Sequence, residues 1–176
     1  MKFTETSLPG AWIVEPERLE DERGFFARTF CRREFRERGL DPDLVQCSLS
    51  YNRWSGTLRG MHYQAPPHAE GKLVRCTAGA AWDVILDLRP DSPSYLRHAG
   101  LRLDADNRLA LYVPPGVAHG FLTLADDSEL FYQMSVYFEP SAAHGVRWDD
   151  PAFGIEWPQK PARISERDAG YPDFRP

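Results

Sequence analysis

A chain of 176 residues with 42% hydrophobic side chains can bury the core of one domain, so we predict a single domain over residues 1–176. Its net charge of −5 provides no basic field for nucleic acid or an anionic membrane. Three cysteines without CxxC spacing argue against a disulfide scaffold, and the lack of an apolar leader or a membrane-length apolar run predicts a cytoplasmic protein.

Fifteen prolines and thirteen glycines interrupt the sequence at short intervals, which favours many short strands over long helices. One helix is predicted from Cys31 to Arg38, with Phe35 facing inward and Gly39 at the C-terminal cap. The clearest strand signal follows, from Leu73 to Arg89. Its second half alternates at period two and Gly79 offers a turn, so we predict a pair of strands there.

Further strands are predicted at 109–113, at 121–124 and at 129–138. The tail, from about Asp149, is rich in proline and aromatic residues and is expected to wrap around the body. There is no internal repeat and no linker. The even spacing of the strands predicts an all-β sandwich or barrel, and the jelly roll is the common closed form for a chain of this size.

Two of the five histidines lie in informative contexts, although a single histidine in a β protein is usually a surface residue or hydrogen-bonded in the core. His62 lies within the run Arg59–Gln64. His119 ends a Pro-x-Gly-x-x-His pattern that precedes an apolar strand, and this pattern is the second half of the cupin signature. A cupin is a small jelly-roll barrel whose site lies in the mouth of the barrel.

A metal-dependent cupin is one interpretation of these histidines. His62, His68 and Glu70 lie roughly where the first half of the signature places ligands for Fe, Mn or Zn. However, Tyr63 and Gln64 follow His62, so the chelating His-x-His pair is broken, and His68 is displaced next to two prolines. We therefore predict no metal and no cofactor, with a metal-dependent dioxygenase or sugar-phosphate isomerase as the alternative.

The metal-free interpretation uses the same barrel with acid–base side chains. Four basic residues occur in motifs rich in glycine and aromatics and not in charged surface runs. This composition is typical of a pocket that neutralises a diphosphate, because arginine forks match phosphate oxygens. A surface ion pair is the simpler explanation for any one of them. The four are Arg23, Arg59, Lys72 and His119.

Seven runs of the sequence closely resemble the dTDP-4-dehydrorhamnose 3,5-epimerase family. They occur in the family's order and spacing from near residue 10 to residue 173, so the resemblance covers nearly the whole chain. The runs are Asp21–Phe26, Thr57–Gln64, Gly71–Cys76, Asp83–Asp87, Val113–Leu122, Phe131–Tyr132 and Ser165–Asp168.

The resemblance implies a cupin-type jelly-roll barrel with short flanking helices and an N-terminal strand exchanged in a homodimer. It also implies a metal-independent conversion of dTDP-4-dehydro-6-deoxy-D-glucose to dTDP-4-dehydro-L-rhamnose, by proton abstraction at C3 and C5 beside the C4 ketone. Two alternatives stay open. The first is an epimerase that inverts a single centre of a related nucleotide sugar, and the second is a non-catalytic sugar- or nucleotide-binding cupin.

Residue roles are implied by the same motifs. His62 resembles the base, Asp168 the carboxylate that orients it, and Tyr132 the acid on the opposite face of the sugar. Lys72 resembles the group that faces the developing enolate oxygen. The implied binding residues are Arg23, Arg59 and His119 for the diphosphate or sugar, and Phe26 and Gln46 around the nucleotide.

Three positions depart from the family pattern near the nucleotide base. Arg28 stands where the family usually has glutamate, Ser48 where it often has asparagine, and Phe138 where it has tyrosine. Phenylalanine can still stack on a base. Replacing an acceptor by Arg28 changes which groups of a base the site can bind. The hypothesis is an intact catalytic set with a shifted nucleotide or sugar specificity.

Overall fold

The computed structural model describes residues 1–41 and 43–175. Short β-strands make up most of its regular structure, and two short helices flank them. The helices are α1, Arg32–Arg36, and α2, Glu166–Ala169, with a 3-10 turn at Pro140–Ala142. The strands are β1 Lys2–Glu5, β2 Trp12–Glu15, β3 Arg18–Asp21, β4 Gly24–Ala27, β5 Gln46–Asn52, β6 Leu58–Gln64, β7 Lys72–Ala78, β8 Ala80–Asp87, β9 His98–Asp104, β10 Ala110–Val113, β11 Val117–Thr123, β12 Ser128–Met134 and β13 Ala143–Gly145.

Two antiparallel sheets form the barrel. The six-stranded sheet has the order β1-β2-β10-β7-β12-β5, and the five-stranded sheet has the order β13-β6-β11-β8-β9. Strands β3 and β4 form a separate hairpin. The arrangement confirms the predicted all-β, cupin-type jelly roll with short flanking helices. No helix in the described residues is long and apolar enough to cross a membrane.

The core lies between the two sheets, where their inward-facing side chains meet. Val74 of β7 and Leu130 of β12 pack against Ala81 of β8 and Phe121 of β11, and all four are at most 1% exposed. Burial of a large apolar side chain, such as that of Leu130 or Phe121, typically contributes about 1.5–3 kcal/mol to the stability of the fold. The period-two alternation of the strands therefore sets which residues fill the barrel and which face outward.

The two strands predicted across Leu73–Arg89 are both present, but they do not pair with each other. Strand β7 bonds to β10 and β12 in one sheet, whereas β8 bonds to β9 and β11 in the other. Gly79, at φ +67°, carries the chain across between the sheets. A Cβ at this position would lie 2.4 Å from the Ser128 Oγ. Periodicity indicates a strand but does not indicate its partner.

Other predicted boundaries differ by a few residues. The helix is shorter than Cys31–Arg38, although Gly39 follows it at φ +68° as expected of a C-terminal cap. The strand predicted at 129–138 ends at Met134, and the one predicted at 121–124 begins at Val117. The expectation that the tail wraps the body is confirmed, because its Ile155, Trp157 and Phe174 pack against the apolar cluster on the outer face of the five-stranded sheet.

Candidate active site

A cavity of about 600 Å³ opens between the sheets and is lined by seven of the predicted site residues, including all four predicted to be catalytic. His62 comes from β6, Lys72 from β7, Tyr132 from β12 and Asp168 from α2 in the C-terminal tail. His119 of β11 also lines it. The strand residues converge because they occupy the inward-facing positions of their strands.

A β-bulge places two side chains of β6 in the cavity together. In the ladder with β11, His62 is opposite His119, but Arg59 is opposite Phe121, so β6 carries one extra residue. Residues 59 and 62 of a regular strand would face opposite sides of the sheet. Because of the bulge, both line the cavity.

Gly60 permits this bulge because the two strands approach very closely there. Its φ is +140°, and a Cβ on it would lie 2.5 Å from the Cα of Gly120 in β11. A Cβ on Gly120 would in turn lie 2.7 Å from the Met61 Sδ. Both positions therefore require glycine, and the close approach brings the two histidine-bearing strands together.

The His62 imidazole is bound by the Asp168 carboxylate, with 2.7 Å between Nε2 and Oδ1. The second carboxylate oxygen accepts the Gly60 backbone N–H at 3.2 Å. The Ser165 hydroxyl caps α2 by accepting the Asp168 backbone N–H. Burial alone would raise the pKa of Asp168, but the hydrogen bonds from His62, Gly60 and Ser165 outweigh it and hold that pKa below 3.8. Asp168 is therefore an ionised, fixed partner for His62.

The tail that carries Asp168 is attached directly to the barrel. The Arg163 backbone oxygen accepts the Leu58 backbone N–H at 2.8 Å. The Arg163 backbone N–H donates to the Gly56 backbone oxygen at 3.1 Å. The segment thus runs as a short parallel bridge beside the start of β6. As a result, α2 lies at the cavity wall with its carboxylate aimed at β6.

A second histidine–carboxylate pair lies deeper in the barrel. His119 Nε2 is 2.9 and 3.0 Å from the two carboxylate oxygens of Asp83 in β8, and both residues are buried. The Tyr132 ring meets His119 edge-on, with 5.7 Å between centroids. Burial raises the pKa of Tyr132 well above 10, the charge of Asp83 adds to this, and Arg59 opposes it. The Tyr132 hydroxyl is therefore protonated at neutral pH and able to donate a proton.

Lys72 lies beside His62 and is nearly buried, at 8% exposed. Its Nζ is 2.9 Å from the Glu70 Oε1 and donates to the His62 backbone oxygen at 3.4 Å. The Arg59 Nε donates to the Asn52 side-chain oxygen at 2.7 Å, which holds its guanidinium at the cavity wall. Two cations are thus held at the wall of the cavity that His62 lines.

The remaining sequence-predicted binding residues are distributed differently. Ser48 of β5 lines the cavity. Gln46 does not, but its side-chain oxygen accepts the Phe138 backbone N–H at 2.5 Å, so the two lie together. The Phe138 side chain is 58% exposed.

Three further predicted residues, like Gln46 and Phe138, do not line the cavity of this chain. Arg23, Phe26 and Arg28 lie on or just after the β3–β4 hairpin, and all three are exposed. The Arg23 guanidinium forms a salt bridge with the Asp21 carboxylate, and the Arg28 Nη1 lies 3.6 Å from the Glu34 Oε1. Within one chain they do not line the cavity that contains His62, and the β3–β4 hairpin is separate from both barrel sheets. Their implied binding roles stay predictions.

Sequence reasoning did not assign three residues that the fold brings to this region. Asp83 binds His119, and a charged residue inside an otherwise apolar strand was the available signal. Arg163 and Arg167 line the cavity from the tail. No sequence pattern assigned a role to these two residues, because the tail has no hydrophobic periodicity that would indicate which of its side chains point toward the cavity.

The residues considered for a metal site have other partners. Glu70 binds Lys72, His119 binds Asp83, and His68 is exposed. Across residues 1–41 and 43–175, no group of three or more His, Cys, Asp or Glu side chains is arranged to hold a metal ion. The arrangement can instead remove and return protons beside a cation.

Comparisons with known proteins agree on one family. A family model described as dTDP-4-dehydrorhamnose 3,5-epimerase matches residues 5–176. The enzyme of that name from Methanothermobacter thermautotrophicus is 41% identical over 177 residues, covering 99% of this chain and 95% of its own.

Solved structures agree over the same length. The dTDP-4-dehydrorhamnose 3,5-epimerase of Elizabethkingia anophelis matches at a TM-score of 0.95 and 37% identity, covering 99% of this chain and 96% of its own. The dTDP-4-dehydrorhamnose 3,5-epimerase of Bacillus anthracis, with TDP and PPi bound, matches at a TM-score of 0.94 and 37% identity. The match covers 98% of this chain and 99% of that one. A 3'-monoepimerase from Streptomyces bikiniensis, in complex with dTDP-quinovose, matches at a TM-score of 0.88 and 33% identity. The match covers 96% of this chain and 85% of that one.

Proposed function

The chain belongs to the dTDP-4-dehydrorhamnose 3,5-epimerase family, and we propose that it inverts C3 and C5 of its sugar with His62 as the base. It is a carbohydrate epimerase that converts dTDP-4-dehydro-6-deoxy-D-glucose to dTDP-4-dehydro-L-rhamnose. The observation that carries the residue assignment is the contact between His62 and Asp168 in a cavity that also contains Lys72 and Tyr132.

His62 removes a proton from carbon through its free ring nitrogen. A carboxylate can only accept a hydrogen bond, so Asp168 fixes the hydrogen on Nε2 and leaves the Nδ1 lone pair as the basic site. The C3–H bond breaks, its electron pair forms the enolate with C4, and the proton moves to Nδ1. An imidazole base typically contributes about 10²–10⁴-fold.

Lys72 stabilises the negative charge that develops on the C4 oxygen. C3 and C5 both flank this ketone, so one cation serves both proton abstractions. A donor aimed at such an oxyanion is typically worth about 3–4 kcal/mol. The pairing with Glu70 holds the ammonium group in place within a nearly buried site.

Tyr132 returns a proton from the opposite face of the ring, which inverts the carbon. Its high pKa keeps the phenol protonated until the enolate forms. After each inversion the imidazolium releases its proton and the phenolate recovers one from water. The same groups can then act at the second carbon. No metal or cofactor is required for these steps.

A homodimer would complete the site. The exposed hairpin residues Arg23, Phe26 and Arg28 do not line their own chain's cavity, and Leu19 and Phe26 are 69% and 71% exposed. An exchanged hairpin would deliver them to the cavity of a second copy, where Arg23 and Arg59 together would neutralise the diphosphate. Ser48, Gln46 and Phe138 would then contact the nucleotide. Location in the cytoplasm stays a prediction from the sequence.

Incubation with dTDP-4-dehydro-6-deoxy-D-glucose in D₂O, followed by NMR, tests this function. We expect deuterium at both C3 and C5 and the configuration of dTDP-4-dehydro-L-rhamnose. Deuterium at one carbon only would support the single-centre alternative. Binding without exchange at either carbon would support a non-catalytic cupin and overturn the proposal.

A further inference from the structure

Tyr171 packs against His62 from the C-terminal tail, three residues after Asp168. The two rings meet edge-on, with 6.4 Å between centroids and 69° between planes, a favourable geometry for aromatic pairs. Gly145 of β13 lies opposite His62 of β6 in the sheet. A Cβ on Gly145 would lie 2.3 Å from the Tyr171 Cζ. The Tyr171 ring therefore occupies the space that a side chain at position 145 would fill.

The His62 imidazole needs a second restraint besides Asp168. One hydrogen bond fixes the distance from Nε2 to the carboxylate but leaves the ring free to tilt about that bond. The His62 side chain is 39% exposed, so packing does not enclose it. A catalytic group has to be held within about 0.5 Å and about 10–20° of its productive geometry. A rigid aromatic ring beside the imidazole supplies this restraint.

We propose that Tyr171 is a positioning residue for the base His62, a role that rests on the epimerase function proposed above. Tyr171 is not among the described residues that line the cavity, so it acts through the imidazole and not on the sugar. Its hydroxyl accepts the Arg167 Nε–H at 3.0 Å, whereas its contact with His62 is made by the ring. The two contacts can therefore be separated by substitution.

Steady-state kinetics and deuterium exchange of two variants test the proposal. Tyr171→Ala removes the ring, and we expect kcat and exchange at both C3 and C5 to fall about 10-fold or more, since small misplacements of a catalytic group cost up to about 10²-fold. KM should change little, because Tyr171 is not among the described residues that line the cavity. Tyr171→Phe keeps the ring and should retain kcat close to that of the wild type.

Phe174→Leu is the matched control. It loosens the same tail at its packing contact with Phe153, without touching His62, and should leave kcat unchanged. Equal losses in Phe174→Leu and Tyr171→Ala would mean that tail packing in general is responsible, which overturns the proposal. Unchanged kcat in Tyr171→Ala, a rise in KM alone, or an equal loss in Tyr171→Phe would also overturn it.

A double-mutant cycle with Asp168→Asn tests whether the two residues act on the same imidazole. If they do, Tyr171→Ala should cost less in the Asp168→Asn background than in the wild type. Additive losses would mean that Tyr171 acts elsewhere and would contradict the proposal. Absence of exchange in the wild-type enzyme would instead refute the epimerase function, so the two failures are distinguishable.

Discussion

His62 and His119 lie directly opposite each other in the ladder of β6 and β11, and each imidazole binds a carboxylate through Nε2. The pairs differ in access. The His62 side chain is 39% exposed, whereas that of His119 is 4% exposed and its partner Asp83 is fully buried. The His62 pair is therefore accessible to a bound sugar, as its proposed role as the base requires, while the His119 pair lies at the buried end of the cavity beside Tyr132.

Substituting each histidine by asparagine should separate these roles. We expect His62→Asn to lower exchange at both C3 and C5 by about 10²–10⁴-fold, the contribution typical of a general base. His119→Asn should retain more exchange, because the base persists. Deuterium exchange measured by NMR provides the comparison. Exchange at one carbon that survives in His62→Asn but disappears in His119→Asn would identify His119 as the base for that carbon.

Asp168→Asn should lower kcat and also change how stability depends on pH. Folding lowers the pKa of Asp168 below 3.8, so its ionised form contributes stability above that value. This contribution is lost as the pH falls through the lower, folded-state pKa. The thermal midpoints of the wild type and the variant should therefore differ most near neutral pH and converge below about pH 4. A difference that is constant between neutral and acidic pH would contradict the assigned role of the carboxylate.

The strand pattern of the core could be predicted from the sequence, whereas several relationships in space could not. Period-two alternation identified β7 and β8, but it could not indicate that they belong to opposite sheets. The motif resemblance identified His62 and Asp168, which are 106 residues apart, as one pair before any geometry was available. Local sequence rules alone could not have joined them.

The directions of individual side chains in the tail could not be predicted from the sequence for a physical reason. Arg163 and Tyr171 lie in irregular backbone, where no period relates one side chain's direction to the next. The facing of such a segment is set by a few tertiary hydrogen bonds, such as that from Leu58 to the Arg163 oxygen. For Arg23, motif order assigned a binding role, and only the implied exchange of an N-terminal strand indicated that the cavity could be that of the other chain.

Gly60→Ala should destabilise the fold and reduce activity together. The added methyl would lie 2.5 Å from the Gly120 Cα, at a φ of +140° that side chains rarely adopt. Gly24→Ala is a matched control, since Gly24 has a φ of +128° but a methyl added there would meet no atom of residues 1–41 or 43–175 within 4 Å. Overpacking typically lowers the free energy of unfolding by about 1–3 kcal/mol. Gly60→Ala should therefore lower the midpoint of thermal unfolding more than Gly24→Ala. Equal shifts would mean that the close strand approach is unimportant.

Chelation of divalent metals should leave the epimerase active. The proposed mechanism uses the ammonium group of Lys72 for the enolate oxygen, and Glu70 is bound to that group. Activity is measured after dialysis against EDTA and again after addition of Zn²⁺, Mn²⁺ or Fe²⁺. A loss on dialysis that one of these ions restores would support the metal-dependent alternative.

Mixed dimers should reveal whether Arg23 serves the cavity of the other chain. In the proposed homodimer, the Arg23→Ala and His62→Asn variants should each be impaired. If the hairpin is exchanged, a mixed dimer has one site with both substitutions and one site with neither, so mixing should restore activity. Random exchange of subunits makes half of the dimers mixed, and about a quarter of all sites are then intact.

The control for this experiment is a mixture of Arg23→Ala with Arg23→Ala/His62→Asn. Every site in that mixture lacks Arg23, whichever chain supplies the hairpin, so no activity should return. Subunit exchange is verified by mass spectrometry of the native dimers with one chain isotopically labelled. If Arg23 acted within its own chain, each site of the mixed dimer would carry one substitution. Mixing would then restore nothing, despite proven exchange, and the exposed hairpin would need another explanation.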